Sequence, residues 1–139
     1  MLATWGGLTF VGDDSAATYT LEKITGWWGG VEMRHESTPR PNADGDFDSP
    51  AYLGGRVITL RGLILADDDP AAFEAALAAL DEAGADGSKS EFTLEQAAAT
   101  YSVQARRHGS LDFDPIVWGR RGRYQLQLWA PDPTKELVP

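Results

Sequence analysis

RVITLRGLIL, residues Arg56 to Leu65, alternates along its whole length. Val57, Thr59, Arg61 and Leu63 fall on one side, and Ile58, Leu60, Gly62 and Ile64 on the other. Successive strand side chains point to opposite faces, so this period of two predicts a strand with one apolar face on a core. Gly62 in mid-strand predicts a bulge or a close neighbour, because glycine offers no side chain to pack. Gly54 and Gly55 close the polar segment that precedes the strand.

Downstream, DPAAFEAALAALDEAG (residues 69–84) predicts the one clear helix, over about residues 70–83. Asp69 suits the N-cap, Pro70 the first helical position and Gly84 the stop. Phe73, Ala76, Leu77 and Leu80 share a stripe that should pack on a sheet. Alternation returns at Glu91 to Gln96, Thr100 to Arg107, Pro115 to Gly119, and Gly122 to Ala130. Upstream, Leu8 to Gly12 and Ala17 to Thr25 read as short strands around Gly12-Asp13-Asp14, and Val31 to Glu36 as another. Residues 37–50, STPRPNADGDFDSP, hold three prolines and three alternate aspartates, a composition that breaks regular ladders and helices. That segment reads as a long loop or an extended hairpin tip, of the kind that serves as an interaction arm. The expected fold is mainly β in the α+β class: an antiparallel sheet or split barrel covered by one helix, in a single domain over residues 1–139.

The 139 residues carry 12 Lys+Arg against 21 Asp+Glu, a net charge of −9, which argues against a dedicated nucleic-acid binder. No apolar run approaches the roughly 20 residues of a membrane helix. The start, MLATWGGLTFVGDD, lacks a basic region and a long apolar stretch, so no signal peptide is expected. With no cysteine there are no disulfides or thiolate metal sites, and no cofactor motif is recognised.

Asp44, Asp46 and Asp48 have the spacing of the first ligands of a calcium loop. Ser49 stands where the turn glycine belongs, and Gly55 where the bidentate glutamate belongs, so a solvated acidic loop accounts better for the three. Asp67, Asp68 and Asp69 are explained by capping and the positive helix start rather than by a metal. His35 and His108 belong to no metal-spaced set. An enzyme is not expected.

The charge is unevenly spread. Residues 67–91 carry eight acids against Lys89, a net of −7, while residues 100–130 carry five arginines against Asp112 and Asp114, a net of +3. Ordinary solvated faces account for this, as does complementarity between neighbouring copies in a ring. Trp27 and Trp28 are adjacent, so at most one of them can face a core. The other needs a partner subunit, a ligand or a covering loop, and with Trp118 the pair would suit a glycan-binding module.

The order of these features resembles the N-terminal domain of the distal tail proteins of long-tailed phages. The resemblance is carried by a Gly-punctuated β start and by a Pro/Asp-rich arm ending in Tyr52-Leu53-Gly54-Gly55-Arg56. It continues through the strand from Val57 to Gly62, the acidic turn and helix, and the closing Trp129-Ala130-Pro131-Asp132-Pro133. It implies a tail-tube-like split β-barrel and a structural virion protein that forms a ring, a homohexamer, between tail tube and tail-tip hub. DNA would pass through an acidic lumen without sequence-specific contact, and no membrane insertion is implied. The implied partners are copies of itself, the tail-tube protein, the tape-measure protein and the hub protein, in a tail tip assembled in the host cytoplasm. Residues 34–53 would be an arm reaching a neighbouring subunit. The expected interface residues are Trp27, Trp28, Arg34, Asp44, Asp46, Phe47, Asp48, Tyr52, Arg120 and Arg121. Many members carry a second C-terminal domain, which is not expected here; tail-tube and tail-completion subunits share the same features.

Overall fold

The computed structural model describes residues 1–12, 18–49, 51–66 and 69–139. In chain order its elements are β1 (Leu2–Trp5), β2 (Leu8–Val11), β3 (Lys23–Thr25), β4 (Met33–Arg34), β5 (Tyr52–Leu53) and β6 (Arg56–Leu65). Then follow α1 (Pro70–Glu82), β7 (Ser90–Glu95), β8 (Thr100–Arg107), β9 (Asp112–Val117), β10 (Arg121–Ala130) and β11 (Glu136–Leu137).

The alternating stretch is the longest strand. β6 pairs antiparallel with β10 over its full ten residues, from Arg56 opposite Ala130 to Leu65 opposite Arg121. Ile58, Leu60 and Ile64 share the inward face with Tyr124, Leu126, Leu128 and Ala130, all wholly buried. Gly62 is the close neighbour expected rather than a bulge. It stands opposite Tyr124, and a Cβ there would lie 1.8 Å from the Thr20 carbonyl oxygen. The Tyr124 hydroxyl uses the space to donate to that same carbonyl at 2.6 Å.

Around this ladder the strand order is β2-β1-β7-β8-β10-β6-β3, with β9 on β10 and β11 on β8, and every strand pair is antiparallel. β8 meets β10 only at Arg106 and Arg107, so the sheet folds there and its two halves enclose one core. Phe10 of β2 thereby lies 5.8 Å from the Tyr124 ring, between ring centroids. Of the expected antiparallel sheet or split barrel, the structure forms the antiparallel sheet, and it does not close into a barrel. Its end strands, β2 and β3, are not paired with one another. Residues 18–22 lie along β6 and reach β2 through the Val11–Thr20 bridge, with Val11 N donating to Tyr19 O and Leu21 N to Val11 O.

Capping sets the helix as expected. The Asp69 carboxylate accepts from the Ala71 and Ala72 amides, Pro70 opens the first turn, and Gly84 leaves it at φ 67°. Phe73, Ala76 and Leu80 are buried against the sheet, with Leu77 at the margin. The aspartates 13, 14, 67 and 68 lie outside the described residues. β1 and β11 were not anticipated, and β9 begins three residues earlier than expected. β9 tolerates Pro115 because it pairs on one side only, with β10, so its other edge needs no amide at that position.

Two buried tyrosines join these layers. Tyr19 donates from its hydroxyl to the Ala76 carbonyl of α1, and Tyr124 to Thr20. Burial pushes both phenols above their ordinary value, Tyr124 further with help from the Glu22 charge. A raised folded-state pKa means the unfolded chain loses these protons first, so stability is complete below about pH 10 and falls above it. Urea unfolding from about pH 9 to about pH 11.5 should show a declining limb approaching ~1.4 kcal/mol per pH unit for each such tyrosine. Tyr124→Phe should be about 1 kcal/mol less stable at neutral pH through its lost hydrogen bond, yet flatter along the alkaline limb. A limb of unchanged slope would contradict the assignment.

Candidate assembly surfaces

Alternation leaves open which of Trp27 and Trp28 faces inward, and three distant residues decide it. Trp27 is wholly buried, packed edge-on against Phe92 at 5.4 Å, with the Lys135 ammonium 4.6 Å over its ring. Arg56, on the inward side of β6, donates from Nη1 to the carbonyls of Gly26 at 2.9 Å, Trp27 at 2.8 Å and Gly29 at 3.5 Å. Gly26 has φ 81°, and a Cβ there would fall 1.8 Å from the Val57 carbonyl oxygen. Gly55 lies so close to the Trp129 indole that a Cβ would sit 2.4 Å from its Nε1. The residue 26–30 turn is thus clamped to the start of β6. Burial lowers the pKa of the Arg56 guanidinium, and it also lowers that of Lys135, which Arg56 additionally repels. Trp27 therefore leaves the set of interface candidates, since its surface is spent inside the chain. Trp28 is 52% exposed and borders a shallow depression with Met1, Gln96 and Tyr101.

From this clamp the Pro/Asp-rich segment leaves as a hairpin. β4 and β5 form a separate two-stranded sheet, Met33 opposite Leu53 and Arg34 opposite Tyr52, and Gly54 N donates to Glu32 O at the base. Near the tip Pro39 bridges Asp46, Arg40 N donates to Gly45 O, Phe47 N donates to Thr38 O, and Gly45 turns the chain at φ 87°. Every described residue from 32 to 53 is exposed, and Met33, Phe47, Tyr52 and Leu53 leave large apolar side chains in water. Asp44, Asp46 and Asp48 surround Phe47 in sequence at the tip. Among the described residues no three His, Asp or Glu side chains are grouped to hold a metal ion.

The second surface is the β9–β10 turn. Ile116, Val117 and Trp118 are exposed, Trp118 at 72%, and Arg120 and Arg121 follow them. The turn is held by Arg120 N donating to Val117 O at 3.0 Å and by Ala66 N donating to Arg120 O at 2.8 Å. Trp118 does not join Trp27 and Trp28 in one glycan platform, because it adjoins the β10 start while their turn is bound to the β6 start.

The charge separation read along the sequence is partly cancelled in space. Arg107 of β8 donates to the Asp81 carbonyl of α1 and lies 3.5 Å from its carboxylate. Arg106 lies over the Trp129 ring at 5.7 Å. The acids and arginines there serve the chain's own packing, so the pool available for neighbours is narrower than the composition suggests.

No family model and no curated protein matches the chain. Among solved structures it is similar to the Dit protein (gp 19.1) of phage SPP1, described as a paradigm of the hub adsorption apparatus in phages infecting Gram-positive hosts. The TM-score is 0.73 at 11% identity, over 99% of this chain and 52% of that one. The chain spans about half the length of that protein, and the likeness is one of fold.

The clamp has a measurable cost of removal. Arg56→Met should lower the unfolding free energy by about 2–4 kcal/mol, because buried carbonyls lose a charged donor. Arg56→Lys should fall between it and wild type, since one ammonium cannot repeat the guanidinium geometry. Equal stability of all three in urea would show that the clamp contributes nothing.

Proposed function

We propose that this chain is a structural protein of a phage tail, a ring-forming adaptor at the distal end of the tail tube that joins it to the tail-tip hub around the DNA channel. The observation that carries the reading is the Dit-like fold across 99% of the chain. The hairpin arm adds to it: a lone two-stranded hairpin is marginal in water, and this one exposes four large apolar side chains. Such an element gains most from a surface supplied by another subunit. The net charge of −9 suits a channel that must let DNA pass without holding it.

In this reading the copies form a homohexamer, and the tube, tape-measure and hub proteins are its neighbours in the virion. Arg34, Asp44, Asp46, Phe47, Asp48 and Tyr52 of the arm, with Trp28, Arg120 and Arg121 of the body, are the subunit-contact residues.

Native mass measurement of the purified chain should find a closed ring, and labelled antibody should mark the tail tip in virion images. Label along the whole tail would reassign the chain to the tube, and its absence from virions would sink the reading. Deleting residues 38–50 should leave the monomer's circular dichroism and melting intact, because no described residue there is buried. The same deletion should shift the ring toward monomer.

A further inference from the structure

Two cations meet around Trp27, and no carboxylate of the described residues joins them. Arg56 Nη1 donates to the Trp27 carbonyl at 2.8 Å, and the Lys135 ammonium stands 4.6 Å over the Trp27 ring. Arg56 is only 9% exposed, so its guanidinium is withdrawn from bulk water. Its partners are the carbonyls of Gly26, Trp27 and Gly29, dipoles that carry no net charge. Among the described residues neither Arg56 nor Lys135 has an ion-pair partner; the ion pair present joins Arg107 to Asp81. Of the acids that flank Lys135 in sequence, Asp132 accepts from the Thr134 amide, and both Asp132 and Glu136 are exposed. Besides its burial, the charge that acts on Lys135 is Arg56, which repels it.

The same residues hold donors in excess. Arg56 Nε and Trp27 Nε1 are buried and have no hydrogen-bond partner among the described residues. A buried donor without an acceptor costs its full desolvation, and a buried charge without a counter-charge costs more. An ordered water would satisfy the two N–H groups and leave the charge as it is. An anion satisfies both, and two neighbouring cations favour a divalent one. The planar fork of the guanidinium matches an anion with several oxygens, and the ammonium adds a point charge on a flexible stem. Chloride, monovalent and spherical, uses that fork poorly. Access is open, because Gly29 and Gly30 are exposed and a Cβ on either would meet nothing within 4 Å.

We infer that Arg56 and Lys135 form a binding site beside Trp27 for one divalent oxyanion, of the chemistry shared by sulfate and hydrogen phosphate. The ion ties the 26–30 turn and the start of β6 to the segment that follows β10, and so completes the clamp with the charge that its carbonyls do not supply. The site does not depend on the tail reading and stands or falls apart from it.

Titration of inorganic sulfate into the full chain tests it, with sodium chloride holding the ionic strength constant. Calorimetry should show saturable binding of about one ion per chain, with a Kd on the order of 1 mM or tighter. Inorganic phosphate should compete for the same site. In NMR spectra of the labelled chain, the Trp27 indole N–H and the Arg56 Nε–H signals should move with the same saturation. Lys135→Met should weaken binding about tenfold or more, while Lys135→Arg should keep it within about threefold. Arg56→Met should abolish it; if that chain does not fold, the two Lys135 variants decide. Sulfate also stabilises proteins through exclusion from their surfaces, but that effect does not saturate and is the same in Lys135→Met as in wild type. No saturable binding, saturation that leaves both N–H signals in place, or equal affinity in Lys135→Met would each overturn the inference.

Discussion

The register of β6 against β10 is the constraint from which the other features follow. Its inward face holds Ile58, Leu60, Ile64, Leu126 and Leu128, each worth about 1.5–3 kcal/mol when fully buried. A slip of one residue would turn that whole set outward, so alternatives are excluded by burial alone. The same register puts Gly62 opposite Tyr124, leaving the ring room to reach Thr20 and hold residues 18–22 on the sheet. It also turns Arg56 inward at one end, where the 26–30 turn needs a donor, and delivers Arg121 to the turn at the other. The core, the arm root and the arginine turn are therefore consequences of one pairing rather than separate designs.

Much of this fold was legible where local pattern and tertiary demand coincide. The 56–65 alternation is complete because a single face is buried throughout, and the helix carries its own start and stop in Asp69, Pro70 and Gly84. β1 was missed because its four residues offer only Ala3 and Trp5 as inward signals, and it exists through pairing with β7 some ninety residues away. Residues 17–25 read as one strand, yet only Lys23–Thr25 forms regular ladder. The described part of its earlier half divides its hydrogen bonds between β6 and Val11, an arrangement that no local period encodes. Whether such a sheet stays open or closes into a barrel is likewise not encoded locally, since it depends on whether the end strands β2 and β3 meet.

The candidate surfaces were legible in part. Alternation required one of Trp27 and Trp28 to face inward but carried nothing about which, since the choice belongs to Arg56, Phe92 and Lys135. Arg56 itself was overlooked as a structural residue although its signal was present. It falls on the same side as Ile58 and Leu60, and a charge on an apolar face must find partners. Arg107 and Asp81 illustrate the opposite error, charges that look segregated along the chain and meet across α1 and β8.

The arm joins an over-determined root to an under-determined shaft. Three carbonyls on one guanidinium, a positive-φ glycine and a glycine pressed on Trp129 fix the direction in which the chain leaves the body. Beyond Gly54 the shaft has a few backbone hydrogen bonds and no buried side chain. Nothing in the body would be lost if the shaft were absent, so its apolar residues are not there for the stability of the isolated chain. A stiff root limits the volume the tip explores and so raises its effective concentration at a surface within reach. In the proposed assembly, the free energy that fixes the shaft against the body would come from the partner's surface, since the chain's own core holds none of the shaft's described side chains.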